Sequence, residues 1–447
     1  MHHLLVLSAV IFCSVAIAGA ETSKLSLKDA IGMALENNNH IKAASFNSQA
    51  ASQGIASANS RYLPVISFEE ALVVSNSPTN AFMMKLDEGR FSPADFATPD
   101  GVNHPSARHD FKTVLSLQQP LFVPSLAPLK ALAVKDAQKA ELGLEAARQG
   151  VAFQVFQTYL EVQKSHAQLI TVDKAVADAR ENMRLAVVRT AAGVGLKSDE
   201  LRSRTHLSSV EQHQISAQND LMLARMKLAL LVGTSDDHIY EVDETTIGVT
   251  IPEMDDQTVS QALEARVEIK QSHADRDKSD AALGLATSEY LPAVGAFASY
   301  QLNAKDAPFT SDNDAWSAGI SLKWNVFDGF RRYSERRRAL AGQSAAREML
   351  TSAEKDVTYQ IKESYVRHHE AVKRLEVARH AVSDAEETVR LLTKRYENSL
   401  ATMVELLDAQ TALNQTRSNL VKSETDYALA GGRVYYMAGT FVKEMLK

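Results

Sequence analysis

Thiols, helix breakers and long apolar runs are scarce in this sequence. Of 447 residues one is cysteine, Cys13, and it lies in the N-terminal apolar run from Leu4 to Ala18. Disulfides and cysteine chemistry are thereby excluded from everything that follows that run. No later stretch reaches the roughly 18 apolar residues of a membrane-crossing helix, so any contact with a bilayer interior falls to strands. Proline is missing from 129–251 and from 309 to the end, and 343–430 holds neither proline nor glycine. Proline costs about 3 kcal/mol inside a helix, so these gaps permit very long helices. There is no excess of positive charge: 48 Lys and Arg stand against 55 Asp and Glu, a net charge of -7. That balance argues against a nucleic-acid partner.

The apolar run ends in Ala18-Gly19-Ala20 before Glu21, the shape of a secretory signal with small residues at its cleavage site. Residues 1–20 are expected to be removed, leaving a thiol-free exported chain. Phe12, which precedes Cys13, is too large for a lipoprotein signal.

The breaker-free stretches are filled with Ala, Leu, Glu, Lys, Gln and Arg, all good helix formers. Apolar residues recur at steps of three and four, as in Val155, Phe156, Tyr159 and Leu160, then Leu169 and Ile170. Helices are predicted over roughly 129–192, 197–232, 331–398 and 402–438. The first would be on the order of 96 Å long, which fits a coiled coil or a barrel of helices and not an ordinary globular domain.

The chain also repeats itself. At an offset of 228, Ala34, Leu35, Ile41 and Lys42 return as Ala262, Leu263, Ile269 and Lys270, and Tyr62-Leu63-Pro64 returns as Tyr290-Leu291-Pro292. At 205, Ser116, Leu117 and Phe122 return as Ser321, Leu322 and Phe327. At 206, Val151, Tyr159, Arg189, Leu201 and Gly233-Thr234 return as Val357, Tyr365, Arg395, Leu407 and Gly439-Thr440. The drop from 228 to 205 places 23 additional residues near 75–110 of the first copy, a stretch expected to be a polar surface loop. A duplication of this extent predicts a first repeat over 21–234, a linker over 235–257, a second repeat over 258–440 and a tail at 441–447.

Each copy carries two alternating segments. Trp316, Ala318, Ile320, Leu322, Trp324 and Val326 alternate with Ser317, Gly319, Ser321, Lys323 and Asn325. Leu115 and Leu117 stand against Ser116 and Gln118; Ile66, Phe68, Leu72 and Val74 against Ser67 and Glu69, with Glu70 out of pattern; and Tyr300 lies in the fourth segment, Val294 to Leu302. A half-buried soluble sheet gives such alternation, and so does an outer-membrane barrel strand with its apolar side in lipid. Ile66, Phe68, Leu115, Leu117, Tyr300, Trp316, Ile320, Leu322 and Trp324 are the expected membrane-facing residues. Four strands cannot close a barrel and open edges are not tolerated in lipid, so a membrane reading requires several chains.

The order of elements, the duplication and three motifs resemble the TolC-type outer-membrane efflux channels. The motifs are Leu27-x-x-Ala30 with Ala34-Leu35 and Ile41, Trp324-Asn325-Val326-Phe327-Asp328-Gly329, and Arg395-Tyr396 through Glu405-Leu406-Leu407-Asp408-Ala409. The resemblance covers essentially 21–447. It implies a mainly α fold with a small β part: a homotrimer with a twelve-stranded barrel, four strands per chain, continued by a long periplasmic coiled-coil barrel. It further implies an exit duct in the outer membrane of a Gram-negative cell, joined through a periplasmic adaptor to an inner-membrane pump. The hairpin tips Gly193, Val194, Gly195 and Asn398, Ser399, Leu400 would then be the adaptor-docking surface, the second lacking the family's usual glycine. Glu405 and Asp408, with Asp199 in the equivalent place of the first copy, would line the periplasmic constriction. A soluble periplasmic coiled-coil scaffold without a pore is the competing reading.

Motifs for chemistry are weak. Gly193-Val194-Gly195-Leu196-Lys197-Ser198 lacks the Gly-Lys-Ser ending of a phosphate loop, and His368-His369-Glu370 has no second histidine at zinc-helix spacing. His206 and His213, a heptad apart, read as a solvated helix face. No catalytic residue, metal site or cofactor is expected. The run Arg331, Arg332, Arg336, Arg337, Arg338 reads as an exposed helix face, or as a contact with outer-membrane lipid phosphates.

Overall fold

The structure, a computed structural model, describes residues 24–97, 99–234, 240–243 and 251–446. The expected leader at 1–20, and the linker residues 235–239 and 244–250, lie outside the described residues. Among the described residues helices dominate, with one four-stranded sheet and one two-stranded sheet. The long helices are α5 (Leu126–Ala191), α6 (Lys197–Val232), α9 (Arg331–Glu397) and α10 (Met403–Met437). Their ends agree with the breaker-free stretches to within a few residues.

The chain divides into two compact units. The first takes in residues up to Ala43, Glu145–Arg266 and Asp356 to the end. It contains α1 (Leu27–Asn37), capped where the Ser26 hydroxyl accepts from the Asp29 N–H at 3.1 Å. Strands β1 (Lys24–Leu25) and β4 (Glu241–Val242) pair in parallel. Tyr159 ties them together, donating to the Leu25 carbonyl and accepting from the Asp243 N–H, each at 3.0 Å. The duplication is visible here bond for bond. Asn38, in extended conformation after α1, donates through Nδ2 to the Leu231 carbonyl at 2.9 Å. Arg266, in the same conformation after α7 (Asp256–Ala265), donates through Nη1 to the Met437 carbonyl at 3.0 Å. These pairs match at offsets of 228 and 206. Gly233 and Gly439, both left-handed, approach Asn37 and Ala265 so closely that an added Cβ would lie 2.8 Å and 3.2 Å from their side chains. Residues 441–446, expected as a tail, include the short helix α11 (Phe441–Met445), whose Phe441 is fully buried against Phe153 and Phe156.

The second unit takes in Ala44–Leu144 and Val267–Lys355. Its sheet is antiparallel in the order β2 (Val65–Ser75), β3 (Arg108–Phe122), β5 (Ala293–Ala304), β6 (Asn313–Lys323), so β2 and β6 are edges. Pro120 falls at a register shift in β3, where a missing N–H is tolerated. Glu70, the residue out of pattern, accepts a hydrogen bond from the Thr113 hydroxyl of the neighbouring strand. Strand β6 ends at Lys323, so Trp324 lies just beyond it and is not a strand residue; its indole N–H donates to the Tyr290 carbonyl at 3.2 Å. The expected surface loop is structured: α3 (Pro78–Asp87), a 3-10 turn (Pro93–Phe96) and α4 (Pro99–Asn103). Buried Ala81 and Met84, the Phe82–Phe91 edge contact at 4.7 Å and the Lys85–Asp95 ion pair hold it together.

Candidate functional site

The two hairpin tips are built on one backbone plan. At the first, the Val194 N–H donates to the Arg189 carbonyl at 3.1 Å; at the second, the Leu400 N–H donates to the Arg395 carbonyl at 2.7 Å. Both bonds span five residues and close the end of a long helix in the manner of a Schellman turn. The turn needs a left-handed residue, supplied by Gly193 (φ 76°) and Ser399 (φ 62°). Gly195 is constrained differently: an added Cβ would lie 2.8 Å from the Thr190 nitrogen. Val194 and Leu400, equivalent at an offset of 206, are both exposed.

Arg189 fastens the tips together. Its Nη1 donates to the Glu397 carbonyl at 2.9 Å, its Nη2 to the Ser399 hydroxyl at 2.8 Å, and its guanidinium lies 4.8 Å over the Tyr396 ring. Tyr396, Met403, Leu406 and Ala186 form the small core beneath. The sequence singled out Arg189 only as a repeat position; the Gly-to-Ser change opposite it was the available signal.

The three acids expected at the constriction are placed differently. Glu405 completes a capping box, accepting through Oε2 from the Thr402 N–H at 2.7 Å and the Thr402 hydroxyl at 2.9 Å. The Thr402 backbone and hydroxyl donors hold the Glu405 carboxyl below the usual glutamate range. Asp408, three residues on, is exposed. Asp199 is half-buried in the first turn of α6, whose cap residue is Leu196 and has no side-chain cap. The neighbouring Glu200 is buried and pairs with Lys197 at 2.7 Å and Arg204 at 3.0 Å.

The sheet has two chemically distinct faces, and register makes them continuous. Ser67, Ser116, Ser299 and Ser317 stand in one row, with hydroxyl contacts of 2.6 Å and 2.8 Å between outer and inner strands. The next row, on the other face, is Phe68, Leu115, Tyr300 and Trp316. Ile66 and Leu117 share its face, as do Ile320 and Leu322. Trp316 is 77% and Ile320 73% exposed, so this face is an uncovered apolar surface and not half of a soluble core. Among the described residues no helix is long and apolar enough to cross a membrane, and no group of three or more His, Cys, Asp or Glu is placed to hold a metal ion.

The family described as "Outer membrane efflux protein" matches residues 30–234 and 258–440. The chain belongs to that family. It is 21% identical to the outer membrane protein TolC of Vibrio cholerae over 319 residues, 70% of this chain and 73% of that protein. It is 21% identical to the alkaline protease secretion protein AprF of Pseudomonas aeruginosa over 371 residues, 76% of this chain and 73% of that one. The CmeC outer membrane channel of Campylobacter jejuni has the same fold, with a TM-score of 0.77 at 16% identity, covering 100% of this chain and 98% of that one. The outer membrane efflux family consists of efflux or secretion channels and not of enzymes. The fold class implied by the resemblance, mainly α with a small β part, is the observed one.

Proposed function

We propose that this chain is one subunit of a homotrimeric exit duct. Three copies share a twelve-stranded barrel in the outer membrane of a Gram-negative cell, and the paired long helices continue it as an α-helical barrel in the periplasm. The observation that carries this reading is the sheet itself. It presents an uncovered apolar face, yet edges β2 and β6 have no partner strand among the described residues. In lipid an unpaired edge strands its backbone donors and acceptors at several kcal/mol each, so copies must pair edge to edge. The serine row then faces the lumen, and Ile66, Phe68, Leu115, Leu117, Tyr300, Trp316, Ile320 and Leu322 face lipid, with Trp324 at the boundary.

The duct conducts passively, and an inner-membrane pump supplies substrate through a periplasmic adaptor that docks on Gly193, Val194, Gly195, Asn398, Ser399 and Leu400. Exposed Val194 and Leu400 give that docking an apolar component. The repeats 21–234 and 258–440, joined by 235–257, supply alternate strand pairs and hairpins. The names of TolC and AprF, one an outer membrane protein and one a secretion protein, fit both efflux and secretion. Glu405 and Asp408, with Asp199 as a weaker contributor, ring the periplasmic mouth and favour cations. Like charges close together raise one another's pKa, against the depression that Thr402 imposes on Glu405 within one chain. The test is conductance in planar bilayers. The intact chain is expected to conduct with cation selectivity and to be blocked by divalent ions, and E405A/D408A is expected to lose both. A chain that forms no channel and washes off outer membranes in alkaline carbonate would be the scaffold instead.

A further inference from the structure

Where the strands hand over to the long helices, the two copies diverge in charge. The opening of α9 carries Arg331, Arg332, Arg336, Arg337 and Arg338; at the offset of 205 the opening of α5 has Leu126, Ala127, Ala131, Leu132 and Ala133. Both helices start from equivalent places, so the arginines are not needed to start one. Arg331 and Arg332, in the first turn, also oppose the helix dipole, which costs stability there.

The five divide into two groups. Arg332 is buried and structural: it pairs with Asp328 at 2.9 Å, donates to the Val326 carbonyl at 3.1 Å and lies 5.1 Å over the Tyr290 ring. Arg331 pairs with Glu289 at 2.9 Å. Arg336, Arg337 and Arg338 are exposed, and among the described residues the ion pair they make is that of Arg338 with Glu335 at 3.5 Å. The Arg337 Nη1 donates to the Tyr333 hydroxyl at 3.0 Å. Next to them, Phe327 and Phe330 stand 74% and 70% exposed with ring centroids 5.6 Å apart. Phe330 holds φ at 65°, a left-handed conformation that costs a non-glycine residue about 1 kcal/mol or more. Exposed aromatics beside exposed arginines, next in sequence to the apolar sheet face, match the layered chemistry of a bilayer boundary.

We propose that the opening of α9 is a binding surface for anionic phospholipid headgroups. Arg336, Arg337 and Arg338 engage the phosphate through guanidinium forks, and Phe327, Phe330 and Tyr333 lie at the level where acyl chains meet headgroups. The first copy supplies no such surface, so lipid is bound once per chain. This inference rests on the reading of the sheet as membrane-embedded, and the two are separable because the chain has two tryptophans, Trp316 in β6 and Trp324 just past it. The full chain is placed in vesicles mixing phosphatidylcholine with brominated phosphatidylglycerol or brominated phosphatidylcholine. In W316F, quenching of Trp324 is expected to report a preference for phosphatidylglycerol on the order of tenfold at low salt. The preference should shrink with added salt and vanish in W316F/R336A/R337A/R338A. Equal quenching by both brominated lipids in W316F, or an undiminished preference in the arginine variant, overturns the headgroup surface. Absence of any quenching of Trp316 in W324F overturns the membrane reading instead.

Discussion

Gly193 takes the left-handed position of the first tip with φ 76°, and Ser399 takes it at the second with φ 62°. The first tip thus turns without backbone strain but has no cap on its outgoing helix, because Leu196 stands where the second has Thr402. The second tip is strained at Ser399, yet it is capped by Thr402 and Glu405 and braced by Arg189 from across the hairpin. Duplication has kept the backbone plan and redistributed the means of holding it. The joints between short and long helices tell the same story, with Asn38 in one copy and Arg266 in the other donating to equivalent carbonyls.

The joints give the largest expected effect. Arg266 is buried, and its guanidinium also donates to Gln360 Oε1 at 3.1 Å. R266A leaves that acceptor and the Met437 carbonyl unsatisfied and opens a cavity, for a loss of about 3 kcal/mol. N38A removes a smaller group and is expected to lose about 1 to 2 kcal/mol. Chemical denaturation of the detergent-solubilised protein ranks the two. Equal losses would mean the joints are held by their backbones alone.

The tips come next. R189A removes two hydrogen bonds and a cation–π contact between hairpins, whereas R395A removes one bond, to the Leu400 carbonyl at 3.2 Å within its own tip. About 1 to 2 kcal/mol of local stability is expected to go with Arg189 and less than 1 with Arg395. Amide exchange should therefore quicken at both tips in R189A and only around 395–402 in R395A. Exchange confined to one tip in R189A would refute the brace.

Glycine exchange separates strain from bracing. G193S forces a side chain into the left-handed region and is expected to cost about 1 kcal/mol. S399G relieves that strain but removes the hydroxyl that Arg189 uses, so its net change should be smaller in size. In an R189A background that loss disappears, and S399G should become stabilising by a few tenths to about 1 kcal/mol. Thermal midpoints of the parent chain, S399G, R189A and R189A/S399G form the cycle, and additivity across it would remove Ser399 from the brace.

Helix positions and sheet faces were legible because each rests on a local rule. Gaps in Gly and Pro permit long helices, and period-two alternation fixes which side of a strand is apolar. The structured loop around Lys85 and Asp95 was less legible, since Pro, Asn and Asp suit a turn-rich helix pair as well as an open loop. Arg266 was hidden because its partner is a backbone carbonyl 171 residues away and its repeat mate is a different residue type. Phe441 was hidden for a similar reason, its partners lying far back in α5. Thr402-Met403-Val404-Glu405 carries a capping box in its sequence, which places the acid in the first turn of α10.

The smallest effect concerns that cap and can be moved from one tip to the other. T402A removes the hydroxyl donor to Glu405 and the acceptor for the Glu405 N–H at 3.3 Å, while the backbone N–H of residue 402 still donates to the carboxylate, for a loss of about 1 kcal/mol. L196T should give the first tip a hydroxyl acceptor with Asp199 at the matching third position, for a gain of about 0.5 to 1 kcal/mol. The sign of the pH dependence follows from the depressed pKa of Glu405. A carboxylate held below its unfolded value contributes in full above that value, about 4.3, and its contribution fades as pH falls through the folded value. The difference between the parent chain and T402A should thus be largest near neutral pH and narrow below pH of about 4, leaving only the neutral hydroxyl bond. Hydrogen exchange at 403–406, measured against pH in the two chains, reads it directly. A difference that stays constant into acid would mean that the bond between the Thr402 hydroxyl and the Glu405 carboxylate adds nothing to the cap.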